Sequence, residues 1–208
     1  MPPTNVDRVR KTFTDWAPHY DATHGWSLLY RREAALALGL QGGDRVIDLA
    51  CGTGLGLSDL RELVGEEGHV TGVDMTAAML SIARRRIAHH GWNNVEVLEA
   101  DAAHLLFPDA SFDKAVCMYS MSIIPDYIGA ISEVARVLIP RGRFVVLDVK
   151  LSDNALLRWL SPLFFRMGHI CAVDLSHRTI EELRRAFAEV QVREYRAGFV
   201  YVAVATKE

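Results

Sequence analysis

Residues 45–56, Arg-Val-Ile-Asp-Leu-Ala-Cys-Gly-Thr-Gly-Leu-Gly, constrain this chain most, because an apolar strand runs straight into a glycine-rich turn that opens a helix. Gly52 and Gly54 permit backbone dihedrals closed to other residues and remove the Cβ atoms that would keep a ligand off the main chain. Such a turn is a site for a nucleotide-like cofactor. Asp48, near the strand's end, is placed to hold a polar or cationic group above it.

The other parts of such a site stand at the right distances. The strand pattern His69–Asp74 ends in a carboxylate about 20 residues past the glycines, the spacing at which an acidic side chain meets ribose hydroxyls. A further strand, 95–100, runs into Asp101. Asp48, Asp74 and Asp101 therefore gather at the carboxyl edge of a parallel sheet, where ligands bind. Asp74 and Asp101 also suit a plainer role as helix caps or turn formers. Strand patterns continue at 112–118, 142–149, 189–194 and 199–206, with helical spacing over Ser58–Val64, Ala77–His90, Tyr127–Leu138 and Thr179–Ala188. Thr76, Asp126 and Arg178 stand at three helix starts, and Gly91 and Pro140-Arg-Gly142 supply stops. The alternation predicts an α/β, Rossmann-like, mostly parallel seven-stranded sheet with helices on both faces.

Glycines at 52, 54 and 56 do not have the G-x-G-x-x-G spacing of dinucleotide folds, and no tyrosine has a lysine four residues on. Asp48-Leu-Ala-Cys-Gly-Thr-Gly54, Val73-Asp74-Met-Thr-Ala-Ala-Met79, Glu99-Ala-Asp101 and Phe107-Pro-Asp-Ala-Ser-Phe-Asp113 together resemble the class I S-adenosylmethionine-dependent methyltransferases over residues 45–149. The resemblance implies an antiparallel last strand, S-adenosyl-L-methionine as cofactor and S-adenosyl-L-homocysteine as product. It sets Asp48 and the backbone of Ala50, Gly52, Thr53 and Gly54 against the methionine part. Asp74 would hold the ribose, Asp101 and Ala102 the adenine edge, and Met75 the ring face, with Cys117 also a candidate cofactor contact. Loss of the Asp74 contact would cost about 1.5 to 3 kcal/mol of cofactor binding.

Two segments lie outside that frame and carry substrate choice. Within 1–40, read as a helical cap, Val9, Phe13 and Trp16 share a helical face before Ala17-Pro18 breaks it. Trp16-Ala-Pro-His-Tyr-Asp21 resembles the element preceding the cofactor fold in quinone C-methyltransferases and bacterial phosphatidylethanolamine N-methyltransferases, which implies that Tyr20 sits over the cofactor. The second segment, 151–177, is read as a helical insertion after the fifth strand. Its Arg158, Arg166 and His169 suit a phosphate or anionic bilayer, and its Trp159, Phe164 and Phe165 suit acyl chains. A plainer reading makes it a lid helix covering the sheet.

Methyl transfer is an in-line displacement, so the protein aligns, desolvates and balances charge. Tyr20, His19, Tyr119 and His169 are the candidate catalytic groups, with His24 beside them. An Asn/Asp-Pro-Pro-aromatic loop, shared by amino-methyltransferases of DNA and several protein or RNA enzymes, is absent at Cys117-Met-Tyr-Ser120. A net charge of -3 and no basic, aromatic-interleaved surface also argue against nucleic acid. The expectation is a single domain, 1–208, for a lipid acceptor. Phosphatidylethanolamine N-methylation stands ahead of quinone C-methylation, followed by a soluble small molecule and a non-catalytic cofactor-binding subunit. With no signal-like or 18-residue apolar run the chain reads as cytoplasmic, touching the inner membrane face peripherally through 6–16 and 153–169. Cys51, Cys117 and Cys171 read as reduced packing residues, no metal set is present, and the oligomeric state stays open.

Overall fold

Alternation along the strands sorts their apolar side chains to two faces. In β1 (Arg45–Leu49), Ile47 and Leu49 pack with Ala115, Cys117, Phe144 and Val146, whereas Val46 packs with Val70, Val116, Val145 and Leu147. A strand buried on both sides must be covered on both sides, and a computed structural model, which describes residues 5–151 and 173–208, shows how. The chain continues through α4 (Leu57–Val64), β2 (His69–Asp74), α5 (Ala77–His90), β3 (Val95–Glu99) and β4 (Phe112–Met118). It then forms α6 (Tyr127–Val137), β5 (Leu138–Val149), α7 (Thr179–Ala186), β6 (Glu189–Tyr195) and β7 (Val200–Thr206). Ahead of β1 stand α1 (Asn5–Trp16), α2 (Tyr20–His24) and α3 (Leu28–Ala37), joined by single 3₁₀ turns.

The sheet has seven strands in the order β3-β2-β1-β4-β5-β7-β6, parallel except that β7 runs antiparallel to both β5 and β6. Residues of α3, α4 and α5 cover one face, and residues of α6 and α7 the other. The α/β class, the strand number and the antiparallel last strand all match the expectation from sequence.

Boundaries differ by more than one residue in two places. β5 begins at Leu138 rather than at Gly142: Leu138 pairs with Phe112, the register then shifts, and pairing resumes at Lys114 with Arg143. The extra residues bulge through Arg141, whose φ is +62°. The helix expected to reach Ala188 stops at Ala186, since Phe187 is already extended and the Ala188 amide donates to the Thr206 carbonyl. Thr76 precedes α5 without a side-chain cap bond, whereas Asp126 caps α6 by accepting from the Gly129 amide at 2.8 Å. Most of the 151–177 insertion, with Arg158, Trp159, Phe164, Phe165, Arg166 and His169, lies outside the described residues, as does Cys171. Among the described residues no helix is long and apolar enough to cross a membrane.

Candidate active site

The strand order reverses at β1, whose neighbours are β2 on one side and β4 on the other. Such a switch point leaves a crevice beyond the strands' carboxyl ends. Here the chain leaves β1 through Ala50 at φ +50° and β4 through Tyr119 at φ +61°, a region costly for residues with a Cβ. Both residues line a cavity enclosing about 620 Å³ of empty space, its solvent mouth included.

Asp74, at the tip of β2, is buried and takes two backbone amides: Gly52 N–H donates to Oδ2 at 2.9 Å and Thr76 N–H to Oδ1 at 2.8 Å. Burial raises its pKa, against the pull of those two donors. Asp101 likewise accepts from the Ala103 amide at 2.9 Å, with His104 Nδ1 3.3 Å from its other oxygen. Both carboxylates thus shape their turns and also line the cavity. Gly52, at φ +58°, has nothing within 4 Å of where a Cβ would stand, which leaves open space beside the turn. Two acceptor carboxylates, that open cradle and the apolar walls of Met75, Met79, Ala102 and Ile124 fit a hydroxylated nucleoside such as that of S-adenosylmethionine.

Tyr20, Ala50, Gly52, Asp74, Met75, Asp101, Ala102 and Tyr119 are therefore brought together around one space. Asp48, Thr53, Gly54 and Cys117 are not among its lining residues. Asp48 lies on the face of β1 that Val46 shares, near Gly56, and burial pushes its pKa up to about 7, with Arg31 opposing and Asp74 adding to the rise. The Thr53 hydroxyl donates to Asp21 at 2.5 Å. Gly54, at φ +78°, permits close approach to Leu57 and Ala83. Cys117 is fully buried against α6, and burial holds its thiol well above the usual range. His19 is exposed and lines neither this cavity nor its neighbour.

The neighbouring cavity shares Phe13, Tyr20, Tyr119 and Ile123 with the first and takes in about 1760 Å³ of empty space, its solvent mouth included. Its wall is aromatic. Trp16 meets Tyr20 edge-on at 5.5 Å, Tyr20 stacks on His24 at 4.0 Å, and Trp26 meets Tyr119 at 5.5 Å. His24 Nδ1 lies 2.8 Å from the Tyr20 carbonyl, which can only accept, so the ring carries its proton there; burial lowers the imidazole pKa. Val9 and Phe13 of α1 line the first cavity, and Phe13 and Trp16 the second. Among the described residues the Tyr119 hydroxyl is buried without a hydrogen-bond partner, and burial raises its pKa.

Two residues that sequence reading passed over organise the cap. Arg31 is 4 % exposed, donates through Nε to Ser27 Oγ at 3.1 Å, reaches Tyr20 Oη at 3.5 Å and lies 5.3 Å from the Tyr119 ring centroid. A signal existed: Arg31 shares the helical face of Ala34, Ala35 and Leu38, all buried. Asp21 accepts from Thr53 Oγ1 and, at 2.6 Å, from Arg86 NH2, while Arg86 Nε donates to the Thr53 carbonyl. The cap is thereby fastened to the glycine-rich turn and to α5.

Comparison with known proteins gives the same picture. Residues 40–172 match the family described as "Methyltransferase domain". The chain is 30% identical to the demethylmenaquinone methyltransferase of Listeria monocytogenes serotype 4a, over 97% of this chain and 91% of that protein. Among solved structures, a SAM-dependent methyltransferase from Thermotoga maritima superposes with a TM-score of 0.72 at 21% identity, covering 97% of this chain and 99% of that one. One from Aquifex aeolicus gives 0.68 at 20% identity, covering 94% and 98%.

Proposed function

From the premise that the chain belongs to the methyltransferase-domain family and is an S-adenosylmethionine-dependent methyltransferase, we propose that it C-methylates the ring of a quinol. The observation that carries this reading is the aromatic-walled second cavity, contiguous with the cofactor cavity through Tyr20 and Tyr119. A planar ring system gains contact area and edge or face interactions with Phe13, Trp16, Trp26 and Tyr119 there. The name carried by the Listeria relative supports the same acceptor class and favours it over the phosphatidylethanolamine preferred from sequence, for which no support was found.

S-adenosylmethionine supplies an electrophilic methyl group on a sulfonium. The residues' task is to hold the acceptor's ring carbon in line with it and keep water out. Tyr20 and Tyr119, lining both cavities, set the boundary across which the methyl group travels. Asp74 fixes the donor's position by gripping ribose hydroxyls, and Asp101 with Ala102 holds the base. The ring must enter as the quinol, since the oxidised quinone is an electrophile and has no nucleophilic carbon to offer.

The test is incubation of the purified protein with methyl-labelled S-adenosylmethionine and either chemically reduced demethylmenaquinone or phosphatidylethanolamine vesicles. Label in the quinone fraction alone is the expected result. Label in the phospholipid fraction alone, or in neither, overturns the proposal.

A further inference from the structure

Asp148 is a buried carboxylate with no part in the chemistry described so far. It stands one residue before the end of β5 at 1% exposure, and with Ser122, itself 4% exposed, it lines the aromatic cavity. Three neutral donors reach it: Ser122 Oγ to Oδ1 at 2.9 Å, the Val149 amide to Oδ1 at 2.7 Å, and the Ser122 amide to Oδ2 at 2.7 Å. Among the described residues no cation lies within salt-bridge distance. The titratable groups facing it are His177, Tyr119, Tyr201 and Cys117. His177 is tied up elsewhere, with Nδ1 3.0 Å from the Met121 carbonyl and its ring stacked on Tyr127.

A purely structural anion in so buried a place is normally matched by a cation. Among the described residues its hydrogen-bond partners are neutral dipoles, with His177 acting on it only through space, and Oδ2, which accepts there from the Ser122 amide, has room for one further donor. Burial lifts its pKa to about 6, against the pull of its donors, so it is ionised at neutral pH yet basic enough to take a proton.

We infer that Asp148 is the base that accepts the phenolic proton of a quinol held in the aromatic cavity, with Ser122 orienting its carboxylate. The inference rests on the quinol reading above. In the step, the phenol O–H bond breaks and its proton passes to Asp148. The freed electron pair moves into the ring, the ring carbon forms its bond to the methyl group, and the methyl–sulfur bond breaks with its electrons left on sulfur. The ring carbon then sheds its hydrogen as a proton while the ring oxygen regains one, so the sum is one methyl gained, one proton released and no net redox change.

The experiment compares wild type, Asp148→Asn and Ser122→Ala at saturating S-adenosylmethionine, so that titration of Asp48 near the cofactor turn is not what limits the rate. Wild-type kcat on demethylated quinol is expected to fall about tenfold per pH unit below pH about 6. Asp148→Asn is expected to lose at least about 100-fold in kcat and that acid limb. Its calorimetric affinity for S-adenosylhomocysteine should remain unchanged, and it should recover rate on a quinol ring bearing electron-withdrawing groups, whose phenol is already ionised. Should the asparagine variant not fold, Ser122→Ala decides: removing a donor to the ionised carboxylate moves the acid limb to higher pH. On cofactor-free wild type, quenching of tryptophan fluorescence by 1,4-dihydroxynaphthalene should follow the same ionisation. If wild type methylates the quinol but both variants keep its rate and its acid limb, the assignment of Asp148 is overturned and the quinol reading stands. If wild type binds S-adenosylhomocysteine but methylates no quinol, both are overturned.

Discussion

Asp48 shows what a buried carboxylate costs the fold. It sits on an inner strand, buried, with a pKa pushed up to about 7 from an ordinary 3.8, burial being the main cause. A raised pKa means that the folded state binds the proton more tightly than the unfolded chain. The stability so conferred is complete below about pH 4 and is lost as pH rises through about 7. Asp48→Asn never carries the charge, so in cofactor-free protein its thermal midpoint should exceed wild type by about 5 °C at about pH 8, a gap that closes below about pH 4. A gap independent of pH would contradict the buried-charge account. A cationic group bound close to the carboxylate would lower the penalty. Asp48, Asp74 and Asp101 were legible as residues because a turn of fixed spacing pointed to them. Arg31 was passed over although its helical spacing to Ala34, Ala35 and Leu38 marked it, and Asp148 looks like an ordinary strand residue until the fold puts it against a cavity.

Among elements, the cap is the part whose attachment matters most. α1 and α2 contribute Val9, Phe13 and Tyr20 to the cofactor cavity, so it is walled by a segment that is not part of the sheet. The fastening is Asp21, bonded to Thr53 of the turn and to Arg86 of α5. Asp21→Ala should weaken it by about 1 to 2 kcal/mol, the pair being partly exposed. The loss should appear as faster amide hydrogen exchange over 5–27 with little change in β1 or β4, and as weaker S-adenosylhomocysteine binding. Equal acceleration throughout the sheet would mean that Asp21 supports global stability instead. Strands and the larger helices were readable because period-two and helical patterns differ sharply over these lengths. The boundaries that shifted, at Leu138 and at Ala186, are set by pairing with Phe112 and Thr206, residues far away in the chain. Such pairings leave no local trace.

At the scale of the whole molecule, the sheet's order decides where chemistry occurs. The reversal at β1 opens the crevice, Asp74 at the end of β2 and Asp101 just past β3 line its first cavity, and residues at the ends of β4 and β5 border the aromatic one. The fold and its cofactor were readable from sequence, whereas for the acceptor a quinone stood only as the alternative to phosphatidylethanolamine. Tyr20 and Tyr119 were read as site candidates and Trp16 as part of the motif before Tyr20, but Trp26 was passed over, and the fold assembles all four into one wall. That wall shifts the preferred acceptor from a phospholipid headgroup to a flat ring. The decisive measurement is a crystal structure with S-adenosylhomocysteine and a dihydroxynaphthalene bound. Ribose hydroxyls on Asp74 and a ring seated among Trp16, Trp26 and Tyr119, with its hydroxyl at Asp148, are predicted. A nucleoside bound away from Asp74, or a ring lodged outside the aromatic cavity, would contradict the account.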